Sequence, residues 1–183
     1  MISLSGFGYE DALKNPSKLF ANTWDSKSFI NGPSVKEFEK QFAEYCGAEK
    51  CVAVSSCTSA LQLSLLALGV GPGDEVITVP YTWVSTVEVI KQVGATPVFV
   101  DISLYDMCID PEEVSKKISK KTKAIIGVDL YGNVCDIDEL KKFNVPVIQD
   151  SAQSTGAYYK NKRVGSVADL TCFSFYPTKN LSC

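Results

Sequence analysis

Short apolar runs alternate with amphipathic stretches from residue 50 onward. The runs are rich in valine and isoleucine and apolar on both faces, which predicts buried strands. They lie at 51–56, 75–80, 96–101, 124–130 and 145–150. The intervening stretches have helical spacing and predict helices at 58–69, 83–94, 111–120 and 137–143. Strands that alternate with helices are typical of a mainly parallel sheet, so the pattern predicts a three-layer α/β/α domain.

A further helix is predicted between Ser34 and Gly47, and both it and the helix at 111–120 carry boundary signals. Ser34 and Glu37 have the spacing of a capping box, in which each side chain accepts a hydrogen bond from a backbone N–H in the first helical turn. Gly47 is expected to end that helix. Farther along, Asp110 precedes a proline and is expected to cap the helix at 111–120.

Aromatic residues are scattered among polar ones over residues 1–30, without a clear period. We interpret this stretch as an N-terminal arm and residues 31–183 as one domain. A chain of 183 residues with 45% apolar character can bury one sizeable core, which agrees with a single domain or the larger part of one.

Charge and composition narrow the function classes. A net charge of −3 gives no electrostatic footprint for nucleic acid, and no run reaches the length of a membrane span. The N-terminus lacks the cationic and apolar regions of a signal peptide. Seven cysteines without a CxxC pair, and no histidine, disfavour a zinc site and favour reduced thiols in the cytoplasm. Without histidine, proton transfer near neutral pH would depend on a tuned lysine, carboxylate or tyrosine.

Lys179 is the strongest candidate for reactive chemistry. It follows the apolar run 170–176, which predicts a buried strand ended by Pro177. At an apolar sheet edge, desolvation lowers the pKa of a lysine ammonium, and the neutral amine can form a Schiff base with an aldehyde. The simpler alternative is a solvated lysine in a loop.

Two further candidates lie at predicted strand ends. Asp150 ends the run at 145–150, and its carboxylate would be costly to bury without a cation such as a protonated pyridine nitrogen. Thr58 and Ser59 belong to a hydroxyl-rich turn that opens a helix, where free N–H groups and hydroxyls can bind a phosphate. The simpler alternatives are a surface or capping role for Asp150 and ordinary N-capping by Thr58.

Three more residues complete the candidate site. Trp83 could place its ring against a planar cofactor, although core packing is the usual role of such a residue. Gln153 is a possible donor to a ring hydroxyl, and Ser174 is a possible phosphate ligand. A buried carboxylate, a phosphate site and a reactive lysine are together what pyridoxal phosphate requires.

The chain from Phe29 to Leu181 resembles the sugar aminotransferases of the DegT/DnrJ/EryC1/StrS family, which belong to fold type I of the pyridoxal-phosphate enzymes. Separated motifs occur in the order found in that family, among them VSSCTSAL, PYTWVST, IQDSAQ and YPTKNL. The resemblance implies a role for each matching residue. It gives Lys179 as the lysine that binds the cofactor, Asp150 as the partner of the pyridine nitrogen, Thr58 and Ser174 as phosphate ligands, Trp83 as the stacking aromatic, and Gln153 at a position of histidine or glutamine.

The resemblance also implies an activity and partners. The expected reaction is transamination of a nucleotide-linked keto sugar with glutamate as amino donor, catalysed by a homodimer. Cys57 stands where the family usually has glycine, and its side chain would crowd the approach to the phosphate. The family continues past the lysine with a C-terminal domain, so this chain is expected to be the front half of such an enzyme. The alternatives are an inactive fragment or scaffold, and a sugar dehydratase, although dehydratases of this fold have histidine in place of Lys179.

Overall fold

The structure, a computed structural model, describes residues 16–181. The chain divides into two compact units, with the division after Ala53. Compactness does not by itself define a domain, so the predicted arm over residues 1–30 and domain over 31–183 stay predictions. None of the helices in the described range is long and apolar enough to cross a membrane.

The first unit contains helices α1 (Pro16–Ser26) and α2 (Pro33–Cys46). The predicted capping box is wrong, because α2 begins one residue earlier than Ser34. Gly32 is the N-cap residue and makes no side-chain cap, and Pro33 occupies the first helical turn, where its missing N–H costs nothing. Gly47 does end the helix, with a φ of 71° that glycine adopts without steric penalty.

The second unit contains the sheet and its covering helices. In chain order its elements are α3 (Cys57–Ala67), β1 (Glu75–Thr78), α4 (Ser85–Gln92), β2 (Thr96–Phe99), α5 (Pro111–Lys117), β3 (Thr122–Val128), α6 (Ile137–Lys141), β4 (Val147–Asp150), β5 (Tyr158–Tyr159), β6 (Lys162–Arg163) and β7 (Leu170–Cys172). Five strands form one sheet in the order β2-β1-β3-β4-β7, and each pairs in parallel with its neighbours. Strands β5 and β6 form a small antiparallel pair.

Alternating side chains of the central strands form two separate cores. Ala124 and Ile126 of β3 pack with buried residues of α3 and α4, such as Leu65 and Val89. Ile125, between them in sequence, packs with buried residues of α5 and α6. Successive residues of a strand point to opposite faces, so helices cover both faces of the sheet. The predicted three-layer α/β/α fold is confirmed.

The predicted strand at 51–56 is wrong. These residues have no regular structure, and Val52 and Val54 are 75% and 39% exposed. An apolar segment forms a strand only where a neighbouring strand completes its ladder, and no strand among residues 16–181 pairs with this segment. The strand predicted at 170–176 likewise ends earlier, at Cys172, because pairing with β4 stops there.

Several helix signals are confirmed, although the helices are shorter than predicted. Asp110 caps α5, and its carboxylate accepts a hydrogen bond from the Glu112 N–H at 2.8 Å. The helix predicted at 111–120 ends at Lys117, since Ile118 has extended backbone angles.

Candidate functional site

The carboxyl ends of β1, β3, β4 and β7 lie at one edge of the sheet, because these strands are parallel. Asp150 is the last residue of β4 and is buried. The thiol of Cys57, the first residue of α3, lies 3.8 Å from Asp150 Oδ1, so the start of that helix adjoins the same edge. Ligands of open parallel α/β sheets bind at this edge.

Three groups donate to the carboxylate of Asp150. The hydroxyl of Thr86 donates to Oδ2 at 2.9 Å, and the Ala152 N–H and the Cys57 thiol approach Oδ1 at 3.3 and 3.8 Å. Burial raises the pKa of Asp150, while the hydrogen bonds and the charge of Lys179 oppose that rise. The carboxylate is thus a buried acceptor that a bound cation would stabilise.

Lys179 lies in the turn that follows β7. Its backbone N–H donates to the Tyr176 carbonyl at 2.8 Å, and the residue is half-buried. The positive charge of Lys179 acts to lower the pKa of both Asp150 and Cys57. Because β7 pairs in parallel with β4, the turn that carries Lys179 begins at the edge of the sheet where Asp150 lies.

The hydroxyl-rich turn opens α3, but Ser56 is its N-cap residue. Ser56 Oγ accepts a hydrogen bond from the Ser59 N–H at 3.1 Å, and Ser55 Oγ lies 2.9 Å from Ser59 Oγ. The alternative in which Thr58 caps the helix is therefore wrong. Thr58 is half-buried as a residue, and its hydroxyl makes no hydrogen bond to any described residue, which leaves it available to a ligand.

Cys57 occupies the first turn of α3. Burial raises the pKa of its thiol far above the ordinary range, and the negative charge of Asp150 raises it further. The thiol therefore stays protonated at neutral pH and donates to the carboxylate of Asp150. It adds a weak donor beside Asp150 and is no thiolate nucleophile.

Gln153 is held by one end of its carboxamide. Its Oε1 accepts a hydrogen bond from the Tyr131 N–H at 3.0 Å, and its NH₂ group, which has no partner among residues 16–181, is available to donate. Tyr131 has a φ of 57°, and its hydroxyl lies 3.0 Å from that of Tyr81, which follows β1. The orientation of Gln153 fits its predicted role as a donor to a ring hydroxyl.

Trp83 and Ser174 are held more loosely. Trp83 is 73% exposed in the loop between β1 and α4, and its carbonyl accepts from the Thr86 N–H at 3.1 Å. Ser174 follows β7 and accepts from the Tyr176 N–H at a long 3.4 Å. Both lie beyond carboxyl ends of strands, as predicted, and their roles toward a ligand stay predictions.

Sequence reasoning missed two residues near the site. Asp129 comes directly after β3, much as Asp150 comes at the end of β4. Asp129 is fully buried. Its carboxylate accepts from Gln149, Ser151, Ser154 and the Cys135 N–H. Burial raises the pKa of Asp129 and these hydrogen bonds oppose the rise. An aspartate directly after an apolar strand is the signal that identified Asp150, and it applied equally here.

The missed threonine is Thr86, which is fully buried in the first turn of α4 and contacts Asp150. No pattern in the sequence distinguishes it from other threonines. Its position depends on how α4 packs against the sheet.

The fold, a parallel sheet covered by helices on both faces, is that of the large domain of pyridoxal-phosphate-dependent transferases of fold type I. Within that class, the chain belongs to the DegT/DnrJ/EryC1/StrS aminotransferase family, whose family model it matches over residues 12–183.

Characterised relatives and solved structures support this membership. The chain is 45% identical to the UDP-2-acetamido-2-deoxy-3-oxo-D-glucuronate aminotransferase of Pseudomonas aeruginosa, across 85% of this chain and 44% of that protein. It is 38% identical to DesV of Streptomyces venezuelae, solved in complex with a ketimine intermediate, with a TM-score of 0.91 over 96% of this chain and 48% of that chain. NtdA of Bacillus subtilis, solved with bound cofactor PMP, is 32% identical, with a TM-score of 0.87 over 94% and 40% of the two chains. The chain thus spans about half the length of these relatives.

Proposed function

We propose that this chain forms the cofactor-binding part of a pyridoxal-phosphate-dependent aminotransferase that acts on a nucleotide-linked keto sugar. The observation that carries the proposal is that Lys179 lies in the turn after β7, whose last residue pairs with the buried Asp150 at the end of β4. Relatives named for UDP- and dTDP-linked sugar substrates support the substrate class.

The site fits the cofactor on the chemistry of its donors and acceptors. Asp150 is buried and accepts hydrogen bonds, but it forms no ion pair within 4.0 Å among the described residues. A protonated pyridine nitrogen would provide the missing cation. The available hydroxyls of Thr58 and Ser174 and the start of α3 suit a phosphate, with Ser59 beside them, and the free NH₂ of Gln153 suits a ring hydroxyl. Trp83 would cover the ring.

Pyridoxal phosphate, when bound, supplies an aldehyde for covalent attachment and a ring that withdraws electrons from the carbon at which the amino group is exchanged. The chain supplies the proton chemistry. Asp150 holds a positive charge at the ring nitrogen, and Lys179 Nζ takes up and returns a proton at the reacting carbon. Lys179 has no histidine competitor, since the sequence contains none.

The remaining parts of the proposal concern the surroundings of the reaction. Glutamate as amino donor, a homodimeric assembly and a cytoplasmic location are supported by the family resemblance and by the reduced-thiol composition. The sugar and the ring position that receives the amino group are left open in the proposal.

Covalent labelling tests the proposal directly. The purified protein is loaded with pyridoxal phosphate, reduced with borohydride and digested, and the labelled peptide is expected to carry Lys179. Lys160, which is exposed and paired with Asp138, provides the control. Lys160→Ala should keep the label and Lys179→Ala should lose it.

The contrary outcomes are equally definite. Label on Lys123 or Lys160 in the parent protein, or full transamination by Lys179→Ala, would remove Lys179 from the mechanism. Failure of the parent to bind the cofactor would instead favour a non-catalytic protein that retains the fold.

A further inference from the structure

A short chain of hydroxyl groups leads to Asp150 from the start of α4. Thr86 Oγ1 lies 2.9 Å from Asp150 Oδ2, and Thr82 Oγ1 lies 2.9 Å from Thr86 Oγ1. Thr86 and Asp150 are both buried, and Thr82 is half-buried. None of the roles described above accounts for these two threonines.

The chemistry of the groups fixes the direction of both hydrogen bonds. An ionised carboxylate can only accept, and a threonine hydroxyl has one proton to donate. Thr86 must therefore give its proton to Asp150. The proton between the two threonines then belongs to Thr82, which donates to Thr86.

Thr86 provides the best hydrogen bond to the carboxylate. The contacts at Oδ1 are longer, 3.3 Å from the Ala152 N–H and 3.8 Å from the Cys57 thiol, which is a weak donor. The terminal torsion of an aspartate has a broad energy profile, so the carboxylate orientation depends on what it is bonded to. Thr86 is the neighbour best placed to fix that orientation.

We propose that Thr86, supported by Thr82, is a positioning residue that holds the carboxylate of Asp150 in the orientation required to bind the pyridine nitrogen of the cofactor. This inference rests on the proposed function, because it assigns Asp150 to the cofactor. Thr86 acts through Asp150 and itself touches no reacting atom.

The groups that change the pKa of Asp150 agree with this role. Burial raises the pKa of Asp150, and the hydrogen bond from Thr86 opposes that rise more than the Ala152 N–H, the charge of Lys179 or the thiol of Cys57 does. Removal of the Thr86 hydroxyl should therefore raise the pKa of Asp150 further.

The test compares Thr86→Val, which removes the hydroxyl at nearly constant shape, with Thr86→Ser, which keeps it. Thr78 provides a matched control, since it is fully buried and its hydroxyl donates to the Ile126 carbonyl at 3.0 Å and not to Asp150. The first readout is the pH titration of the Asp150 carboxyl carbon by ¹³C NMR in the cofactor-free protein, with the signal assigned by its loss in Asp150→Asn. The second is the affinity for pyridoxal phosphate.

We expect Thr86→Val to titrate at higher pH than the parent and to bind pyridoxal phosphate about tenfold more weakly, the loss of one hydrogen bond to a charged group. Thr86→Ser should behave like the parent. Thr78→Val should lose thermal stability but leave the titration and the affinity unchanged.

An unchanged titration in a folded Thr86→Val protein would overturn the inference. Thr82→Val keeps the inference falsifiable if Thr86→Val does not fold: a smaller shift in the same direction supports the inference, and no shift overturns it. Failure of the parent to bind pyridoxal phosphate would overturn the proposed function, whereas the titration would still decide whether Thr86 controls Asp150.

Discussion

Replacement of Asp129 by asparagine would remove an acceptor that several groups share. Oδ2 of Asp129 accepts hydrogen bonds from Gln149 at 2.9 Å, Ser151 at 2.8 Å and Ser154 at 2.7 Å, and Oδ1 accepts from the Cys135 N–H at 3.1 Å. A carboxamide has one acceptor oxygen, and its nitrogen only donates. If the oxygen faces the three side chains, the NH₂ group must face the Cys135 N–H.

The size of the effect follows from these bonds. A buried N–H left without an acceptor costs about 1–3 kcal/mol, and each of the other bonds weakens by about 1 kcal/mol when its acceptor loses its charge. The neutral amide regains part of this loss because no charge is buried. We expect Asp129→Asn to lower the free energy of unfolding by about 2–4 kcal/mol at neutral pH.

The pH dependence gives a second check. Burial raises the pKa of Asp129, so the native state binds a proton more readily than the unfolded state does. Proton binding to Asp129 therefore stabilises the native state. This stabilisation is fully present below the unfolded pKa of about 3.9 and is lost as the pH rises through the higher folded pKa. The asparagine variant lacks it, so the difference in stability between parent and variant should widen as the pH is lowered through that window.

Urea unfolding followed by circular dichroism, at neutral pH and at stepwise lower pH, measures both effects. Asp138→Asn is the control, because Asp138 is exposed and its pKa is lowered by the hydrogen bond from Lys160. The Asp138→Asn protein should unfold at a urea concentration close to that of the parent. Equal stability of Asp129→Asn and the parent at neutral pH, or a difference that narrows in acid, would refute the reasoning.

Four further results are expected. Asp150→Asn should keep its circular dichroism spectrum but lose most pyridoxal phosphate binding, measured by cofactor absorbance; equal affinity would remove Asp150 from the site. Asp110→Ala should cost about 1 kcal/mol in urea unfolding through loss of the α5 cap, whereas Ser34→Ala should cost less because Ser34 is no cap; the reverse order would contradict this. Gly47→Ala should cost about 1 kcal/mol in the same assay, because alanine is strained at φ 71°. Cys57 should react with iodoacetamide far more slowly in the folded than in the urea-unfolded protein, since burial raises its pKa; equal rates would show an open thiol.

The parts of the fold that could be predicted are those that depend on local pattern. Strands buried on both faces are apolar throughout, so β1, β3 and β4 were evident in the sequence. Asp150 and Lys179 were identified because each follows or ends such a run. The start of α5 followed from Asp110 and the end of α2 from Gly47, since caps act within a few residues.

The parts that could not be predicted depend on partners distant in sequence. Residues 51–56 have the composition of a strand, but composition does not supply a neighbouring strand. The contact of Thr86 with Asp150 joins residues 64 positions apart, and it depends on the packing of α4 against the sheet. Ser34 has the sequence pattern of a capping box, but the helix already begins at Pro33, so Ser34 lies inside the first turn and not at the N-cap.

The order of the strands has a consequence for synthesis on the ribosome. After β1 and β2 have paired, each later strand of this sheet joins a strand made earlier: β3 joins β1, β4 joins β3, and β7 joins β4. A nascent chain can therefore extend the sheet in one direction as it emerges, and each strand finds its partner already made. Asp150 and Thr86 leave the ribosome before Lys179 does. The contact of Thr86 with Asp150 can thus form before Lys179 is made, and the turn that carries Lys179 joins this edge only after β7 has been added.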